Sequence, residues 1–251
     1  MYKIEGEIVM NKELTIIITM AGLGERFRKA GYDCPKYMIQ AKGKTLFEWS
    51  MDSLLGYNNK VIKYIFVVRK EDNATEFIKE KMNKYKIDNI DVVSIDYLTD
   101  GQATSCMLAI PFCNPESAIL IYNIDTYVEP YEMRFEDISG DGYIPCFEGE
   151  GNHWSFVKLN NYGKVEEVRE KVRISNNCTL GAYYFSSAHL YKELYEEYYN
   201  DNKHLEKNEK YIAPLYNYML YKKMSVTISI IDKNKVHVLG TPEELEKFIY
   251  E

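Results

Sequence analysis

The stretch Leu14–Lys44, LTIIITMAGLGERFRKAGYDCPKYMIQAKGK, constrains this chain more than any other. Leu14 to Met20 is an apolar, β-branched run of strand length without a charge, which suits a central strand buried on both faces. Gly22 and Gly24 follow in a five-residue turn, then Arg26, and ten residues on Pro35-Lys36. A buried strand that empties into a glycine loop presents bare backbone N–H groups at the carboxyl edge of a sheet. Open α/β folds bind phosphates there. Arg26 and Lys36 add two cations to the same mouth, although a tight turn with two solvated cations has the same residues. Two phosphate motifs fail on spacing. A dinucleotide fingerprint needs glycine where Phe27 stands, and a Walker A loop ending at Gly43-Lys44-Thr45 needs glycine where Met38 stands.

The rest of the first half alternates. A helix is expected from Thr45 to Leu55 with Thr45 as its cap, a strand over Val61–Val68, and a helix over 72–86 with Phe77, Ile78 and Met82 inward. A short strand follows at Val92–Ile95, a glycine-bearing segment at 99–105 leading into an apolar helix Cys106–Ile110, and a buried strand Ala118–Tyr122 ending in Asn123-Ile124-Asp125. Such alternation implies a parallel sheet with crossover helices. A carboxylate at the end of so apolar a strand is well placed to hold a hard cation.

The second half reads differently: strands at Tyr143–Phe147, Trp154–Leu159, Lys164–Val168 and Leu180–Ser186, with a turn at 160–163. Helices are expected at about 188–201 and 209–222, and their many tyrosines fall at packing positions. Strands at Val226–Ile231 and Lys235–Leu239 precede a last helix opened by Thr241-Pro242-Glu243-Glu244, where Thr241 caps and Glu244 stands third.

The net charge of −7 and the lack of a long basic run argue against nucleic acid as a partner. Five cysteines without a C-x-x-C pair read as small buried hydrophobes in a reducing compartment, and the four histidines show no metal-ligand spacing. The apolar runs are strand-sized, so a cytoplasmic enzyme with no membrane insertion is expected.

The pattern A-G-x-G-x-R-F, then P-K and G-K, resembles the sugar nucleotidyltransferases, the nucleoside-diphosphate-sugar pyrophosphorylase superfamily that includes phosphocholine-type cytidylyltransferases. The resemblance runs over residues 14–250. It implies a single Rossmann-like α/β domain, GT-A-like, with a mostly parallel central mixed sheet flanked by helices. Residues 14–130 would be its nucleotide-binding half, 131–251 its acceptor-binding half, and 1–13 an amino-terminal extension. By that resemblance Ala21, Gly22, Leu23 and Gly24 wrap the nucleotide triphosphate, and Gln102, Ala103 and Thr104 meet the base. Arg26 touches the departing phosphates, Lys36 the phosphates at the reaction centre, and Asp125 the magnesium. Glu170-Lys171, with Asn177 and Gly181, matches the acceptor half: the glutamate takes acceptor hydroxyls and the lysine grips the acceptor phosphate. Val172 stands where proline often follows E-K, and Val238 where many members carry a second metal-binding aspartate. Asp125 is then the one protein ligand the resemblance places, with Asp232 and Glu170 as reserves.

The implied activity is transfer of an NMP unit from an NTP to a small phosphorylated acceptor, a sugar 1-phosphate foremost, with Mg2+ and release of pyrophosphate. Nucleotide-sugar and polysaccharide biosynthesis would be its setting. Two alternatives are a nucleotide-sugar-dependent glycosyltransferase and a non-catalytic nucleotide- or sugar-binding regulator. The glycosyltransferase would hold its metal with a D-x-D pair, of which Asn123-Ile124-Asp125 is half, and would leave Arg26 and Pro35-Lys36 without a task.

Overall fold

The computed structural model describes residues 13–200, 204–206 and 208–251, so the expected amino-terminal extension lies outside it apart from Glu13. Strand β1 (Leu14–Thr19) leads through the glycine loop to a short helix, α1 (Glu25–Lys29). A small ribbon, β2 (Gln40–Ala41) with β3 (Lys44–Thr45), precedes α2 (Leu46–Asp52). Then β4 (Val61–Arg69), α3 (Thr75–Lys84), β5 (Ile90–Ile95), α4 (Gln102–Ala109) and β6 (Ala118–Asn123) alternate. β1 is flanked by β4 and β6, both parallel to it, and β5 continues the parallel part beyond β4. Its side chains divide between the faces, Leu14, Ile16 and Ile18 into one apolar cluster and Ile17 into the other. Burial of each such aliphatic side chain contributes about 1.5–3 kcal/mol, which is why this strand lies at the centre.

The remaining elements are β7 (Thr126–Val128), β8 (Gly142–Glu148), β9 (Ser155–Leu159), β10 (Val165–Glu170), β11 (Asn177–Thr179) and β12 (Ala182–Phe185). Helices α5 (Ala188–Tyr198) and α6 (Ala213–Tyr221), strands β13 (Val226–Ile231) and β14 (Val236–Val238), and α7 (Pro242–Tyr250) complete the chain. Among the described residues the main sheet runs 5-4-1-6-12-8-11-9-10, with β13 beside β8. It is parallel at its core and mostly antiparallel from β12 onward. The fold is thus the expected mixed α/β sheet flanked by helices.

Four local details differ from the sequence reading. The strand expected over Leu180–Ser186 breaks at Gly181, whose φ of +75° turns the chain between β11 and β12. The helix expected from Cys106 begins at Gln102 instead, with Gly101 as a cap that offers no side-chain bond. The strand expected at Lys235–Leu239 pairs outside the main sheet, with β7, a strand too short to read from periodicity. Of the five cysteines, Cys106, Cys146 and Cys178 are buried and Cys34 is exposed.

Two polar devices finish the architecture. Thr45 and Glu48 form a reciprocal capping box on α2, and Glu48 also pairs with Lys81 and Lys84 of α3 at 3.1 and 3.0 Å. On strand β10, the Asn217 amide both accepts from the Val168 N–H and donates to its carbonyl, closing part of an exposed edge. No helix among the described residues is long and apolar enough to cross a membrane.

Candidate functional site

The glycine loop, the P-K segment and the end of β6 converge at the carboxyl edge of the parallel strands. Gly24 has φ +61°, and the place its Cβ would occupy is 3.6 Å from the Lys36 Cβ, so the loop and the lysine pack directly. Beside Gly22 nothing lies within 4 Å of such a position, which leaves open space over the loop. Lys36 Nζ is 2.6 Å from Asp125 Oδ1, with the lysine 11% exposed and the carboxylate 46% exposed. The ammonium also sits 5.4 Å from the Phe27 ring centre. An apolar cluster of Phe27, Ile39, Ala41, Leu46, Tyr127, Leu239, Leu245 and Phe248 holds α1, the P-K segment and α7 together beneath this pair. Arg26 is exposed and close enough to α7 to act on Glu243. The Glu243 carboxyl is lowered first by its own N–H, then by the Thr241 hydroxyl and by Arg26.

Asp125 is held by backbone. Its carbonyl accepts from the Leu239 N–H at 2.7 Å, just beyond β14, and its N–H faces Asn123 Oδ1 at 3.4 Å. Gly181 packs so closely on Asn123 that a Cβ would lie 2.0 Å from its Nδ2, and its carbonyl accepts the Asn123 N–H at 3.1 Å. Gly181, expected from the resemblance to meet the acceptor, thus supports Asn123 at the start of the Asp125 turn.

Helix α7, which follows the β7–β14 ribbon, brings a second carboxylate, Glu244, to the same place. A Cβ on Gly240 would be 3.1 Å from Glu244 Oε2 and 3.9 Å from Asp125 Oδ2. The two carboxylates thus face a common space that only glycine leaves empty. Thr241 accepts from the Glu244 N–H at 3.2 Å, while its hydroxyl serves the Glu243 carboxylate. The helix-start pattern around Glu244 does not by itself show where its carboxylate points. The two reserves are engaged elsewhere: Asp232 accepts from the Asn234 N–H, and Glu170 accepts from Ser155.

At the expected base segment, Gln102 Nε2 donates to Thr19 Oγ1 at 3.0 Å, tying α4 to the end of β1. Ala103 is fully buried. The Thr104 hydroxyl donates to Asp100 and shares a 2.8 Å hydrogen bond with Tyr195. Both side chains expected to read the base therefore make internal contacts here.

At the expected acceptor segment, Lys171 adopts φ +53°, a conformation that favours glycine, and its N–H donates to the Trp154 carbonyl at 2.8 Å. Its ammonium donates to Tyr211 Oη at 2.6 Å, lies 4.4 Å from that ring centre, and is 3.6 Å from Glu170. Burial pushes the Glu170 carboxyl up, against the Ser155 hydroxyl and Lys171. Asn177 Nδ2 donates to the Val157 carbonyl at 3.0 Å. The two groupings adjoin through the turn at 153–154. His153 Nε2 is 3.9 Å from Glu244 Oε1, its ring lies tilted against Trp154 at 4.3 Å between centres, and Trp154 accepts the bond from Lys171.

No family model matches the chain. A probable UDP-N-acetylglucosamine pyrophosphorylase of Encephalitozoon cuniculi is 28% identical over 150 residues, 57% of this chain and 37% of that protein. The chain thus spans little more than a third of that curated relative. Among solved structures, the inositol-1-phosphate CTP transferase of T. maritima shares the fold at 16% identity and TM-score 0.73, with 95% of this chain and 94% of that one covered. The nucleoside-diphosphate-sugar pyrophosphorylase of Vibrio cholerae RC9 is 34% identical, with TM-score 0.87, 94% of this chain covered and 100% of that one. Identity at that level over the whole of another chain, with the glycine loop, Lys36 and Asp125 gathered at one sheet edge, makes this chain a member of the nucleoside-diphosphate-sugar pyrophosphorylase family.

Proposed function

We propose that the chain transfers an NMP unit from an NTP to a small phosphorylated acceptor, a sugar 1-phosphate foremost, with release of pyrophosphate. The observation that carries this reading is the Lys36–Asp125 pair beneath an open glycine loop. An acceptor phosphate oxygen attacks the α-phosphorus, the new P–O–P bond forms, and the bond to pyrophosphate breaks. The nucleophile needs no general base, because the second pKa of a phosphate is about 6. The protein must instead align two polyanions and neutralise them. The loop N–H groups and Arg26 serve the nucleotide phosphates, Lys36 serves the reaction centre, and Lys171 serves the acceptor phosphate. With both named base-reading side chains engaged internally, the backbone around Gly101 is left to meet the base.

Magnesium fits these residues. Asp125 Oδ2 and Glu244 Oε2 face the gap at Gly240, and no grouping of three or more His, Cys, Asp or Glu among the described residues could hold a metal alone. Magnesium suits so sparse a set, since it is often held by one or two carboxylates plus substrate phosphates. When bound it would supply further charge neutralisation at the phosphates.

The test is pyrophosphate release with CTP, UTP, dTTP, GTP and ATP, each paired with glucose 1-phosphate, N-acetylglucosamine 1-phosphate and phosphocholine. Release that requires one NTP and one acceptor together supports the reading. Nucleotide binding without release for every pair would favour the regulator, and glycosyl transfer from a nucleotide sugar would favour the glycosyltransferase.

A further inference from the structure

The segment ahead of α6 touches both proposed subsites through adjacent residues. Lys210 brackets the 99–104 loop: its N–H donates to the Asp100 carbonyl at 2.6 Å, and its carbonyl accepts from the Ala103 N–H at 3.1 Å. The approach requires Gly101, with φ +138°, because a Cβ there would lie 2.3 Å from the Lys210 oxygen and 2.7 Å from its nitrogen. A side-chain clasp repeats the bond, with Lys210 Nζ 2.9 Å from Asp100 Oδ2 and 3.4 Å from Tyr195 Oη. The next residue, Tyr211, receives the Lys171 ammonium at 2.6 Å, and its carbonyl accepts from Tyr199 Oη at 2.6 Å. One peptide unit therefore joins the loop beside the base to the lysine beside the acceptor.

We propose that Tyr211 is a positioning residue for Lys171, and that the Lys210–Tyr211 unit couples the 99–104 loop to that lysine. Nucleotide settling on the loop then sets where the acceptor's cation stands. The proposal rests on the nucleotidyltransferase reading for the names of the two subsites, but not for the contact itself. Removal of Tyr211 Oη takes away the shortest contact of the Lys171 ammonium and leaves it the longer ones, Glu170 at 3.6 Å and the ring face at 4.4 Å, so its position is less tightly fixed. Coupling of this kind is reciprocal between the two ligands.

The experiment combines kinetics with amine labelling. For the NTP and sugar 1-phosphate that the pyrophosphate assay identifies, Tyr211→Phe is expected to raise the acceptor KM about tenfold, the scale of a hydrogen bond to a charged group, with the NTP KM unmoved when it is taken at acceptor concentrations well below the acceptor KM. Gly101→Ala is expected to raise both KM values in the wild-type background, but only that of the NTP in the Tyr211→Phe background. Equal effects of Gly101→Ala on the acceptor KM in both backgrounds would overturn the coupling. Labelling with N-hydroxysuccinimide acetate, read by mass spectrometry, needs no substrate. Lys171 is expected to label several-fold faster, relative to Lys158, in Tyr211→Phe and in Asp100→Ala, which opens the clasp without altering Gly101. Unchanged Lys171 labelling in Tyr211→Phe would overturn the positioning role, whatever the assay says about the reaction. Unchanged labelling in Asp100→Ala and Gly101→Ala would overturn the link to the loop.

Discussion

In the proposed site Lys36 and a divalent cation would address the same carboxylate, so replacing the lysine should move turnover and metal binding in opposite directions. Lys36→Met keeps much of the apolar stem against Phe27 but removes the charge 2.6 Å from Asp125 Oδ1. Loss of one electrostatic stabiliser at a reacting phosphate is expected to lower kcat/KM by about 10²–10³. Folding should hardly respond, because Asp125 is 46% exposed and such partly solvated pairs contribute about 1 kcal/mol or less. For a divalent cation, the lysine's unit charge some 4 Å away at an effective dielectric near 20 repels by about 8 kcal/mol before the lysine swings aside. Even a sixth of that is about 1.4 kcal/mol, or tenfold in affinity. Manganese titration of the nucleotide-free protein by electron paramagnetic resonance should therefore show about tenfold tighter binding in Lys36→Met, and pyrophosphate release should show the loss of turnover. Turnover within tenfold of wild type would remove Lys36 from the reaction centre. Manganese affinity that stays the same or falls would refute the competition for Asp125.

The same titration tests the carboxylates across Gly240: Asp125→Asn and Glu244→Gln should each weaken manganese binding by about 10-fold or more, with Asp232→Asn silent. Silence of Glu244→Gln would leave Asp125 as the only protein donor. At α2, burial alone would raise the Glu48 carboxyl, but the Thr45 N–H and hydroxyl with Lys84 and Lys81 bring it down to about 2. The fold is therefore stabilised above the unfolded value near 4.5 and loses roughly 2–3 kcal/mol as pH falls toward 2. Denaturant titrations at pH 6 and pH 3 should show a smaller acid loss in Glu48→Gln than in wild type, and equal losses would contradict this assignment. Asn217→Ala should free the Val168 N–H and carbonyl on β10 and promote association, measurable by light scattering; a monodisperse variant with unchanged stability would show that the edge needs no cover.

Leu14–Thr19, the glycine loop and Asp125 were legible in the chain because each is a local signal. A charge-free run of strand length has few places to go but the middle of a sheet. A loop after such a strand must emerge at its carboxyl edge, and so must a carboxylate at the end of β6. Thr45 with Glu48 was half legible: the cap was expected, but the two lysines of α3 that share Glu48 are more than thirty residues away.

Glu244, Gly181 and Tyr211 were not legible in the roles the structure gives them. Thr241-Pro242-Glu243-Glu244 carries the pattern of a helix start, and nothing local says that its second glutamate turns toward Asp125. That orientation follows from the bond between the Leu239 N–H and the Asp125 carbonyl, which joins residues more than a hundred positions apart. Nothing local to Gly181 shows that its backbone packs against Asn123, and nothing local to Tyr211 separates it from the other packing tyrosines. By itself, then, the sequence determined the central strand, the glycine loop at its carboxyl end and the residues that end at the sheet's mouth, because strand burial and loop direction depend on near neighbours. Which carboxylate faces Asp125, and which tyrosine holds Lys171, was decided only by the tertiary structure, because those contacts arise where distant backbone segments meet.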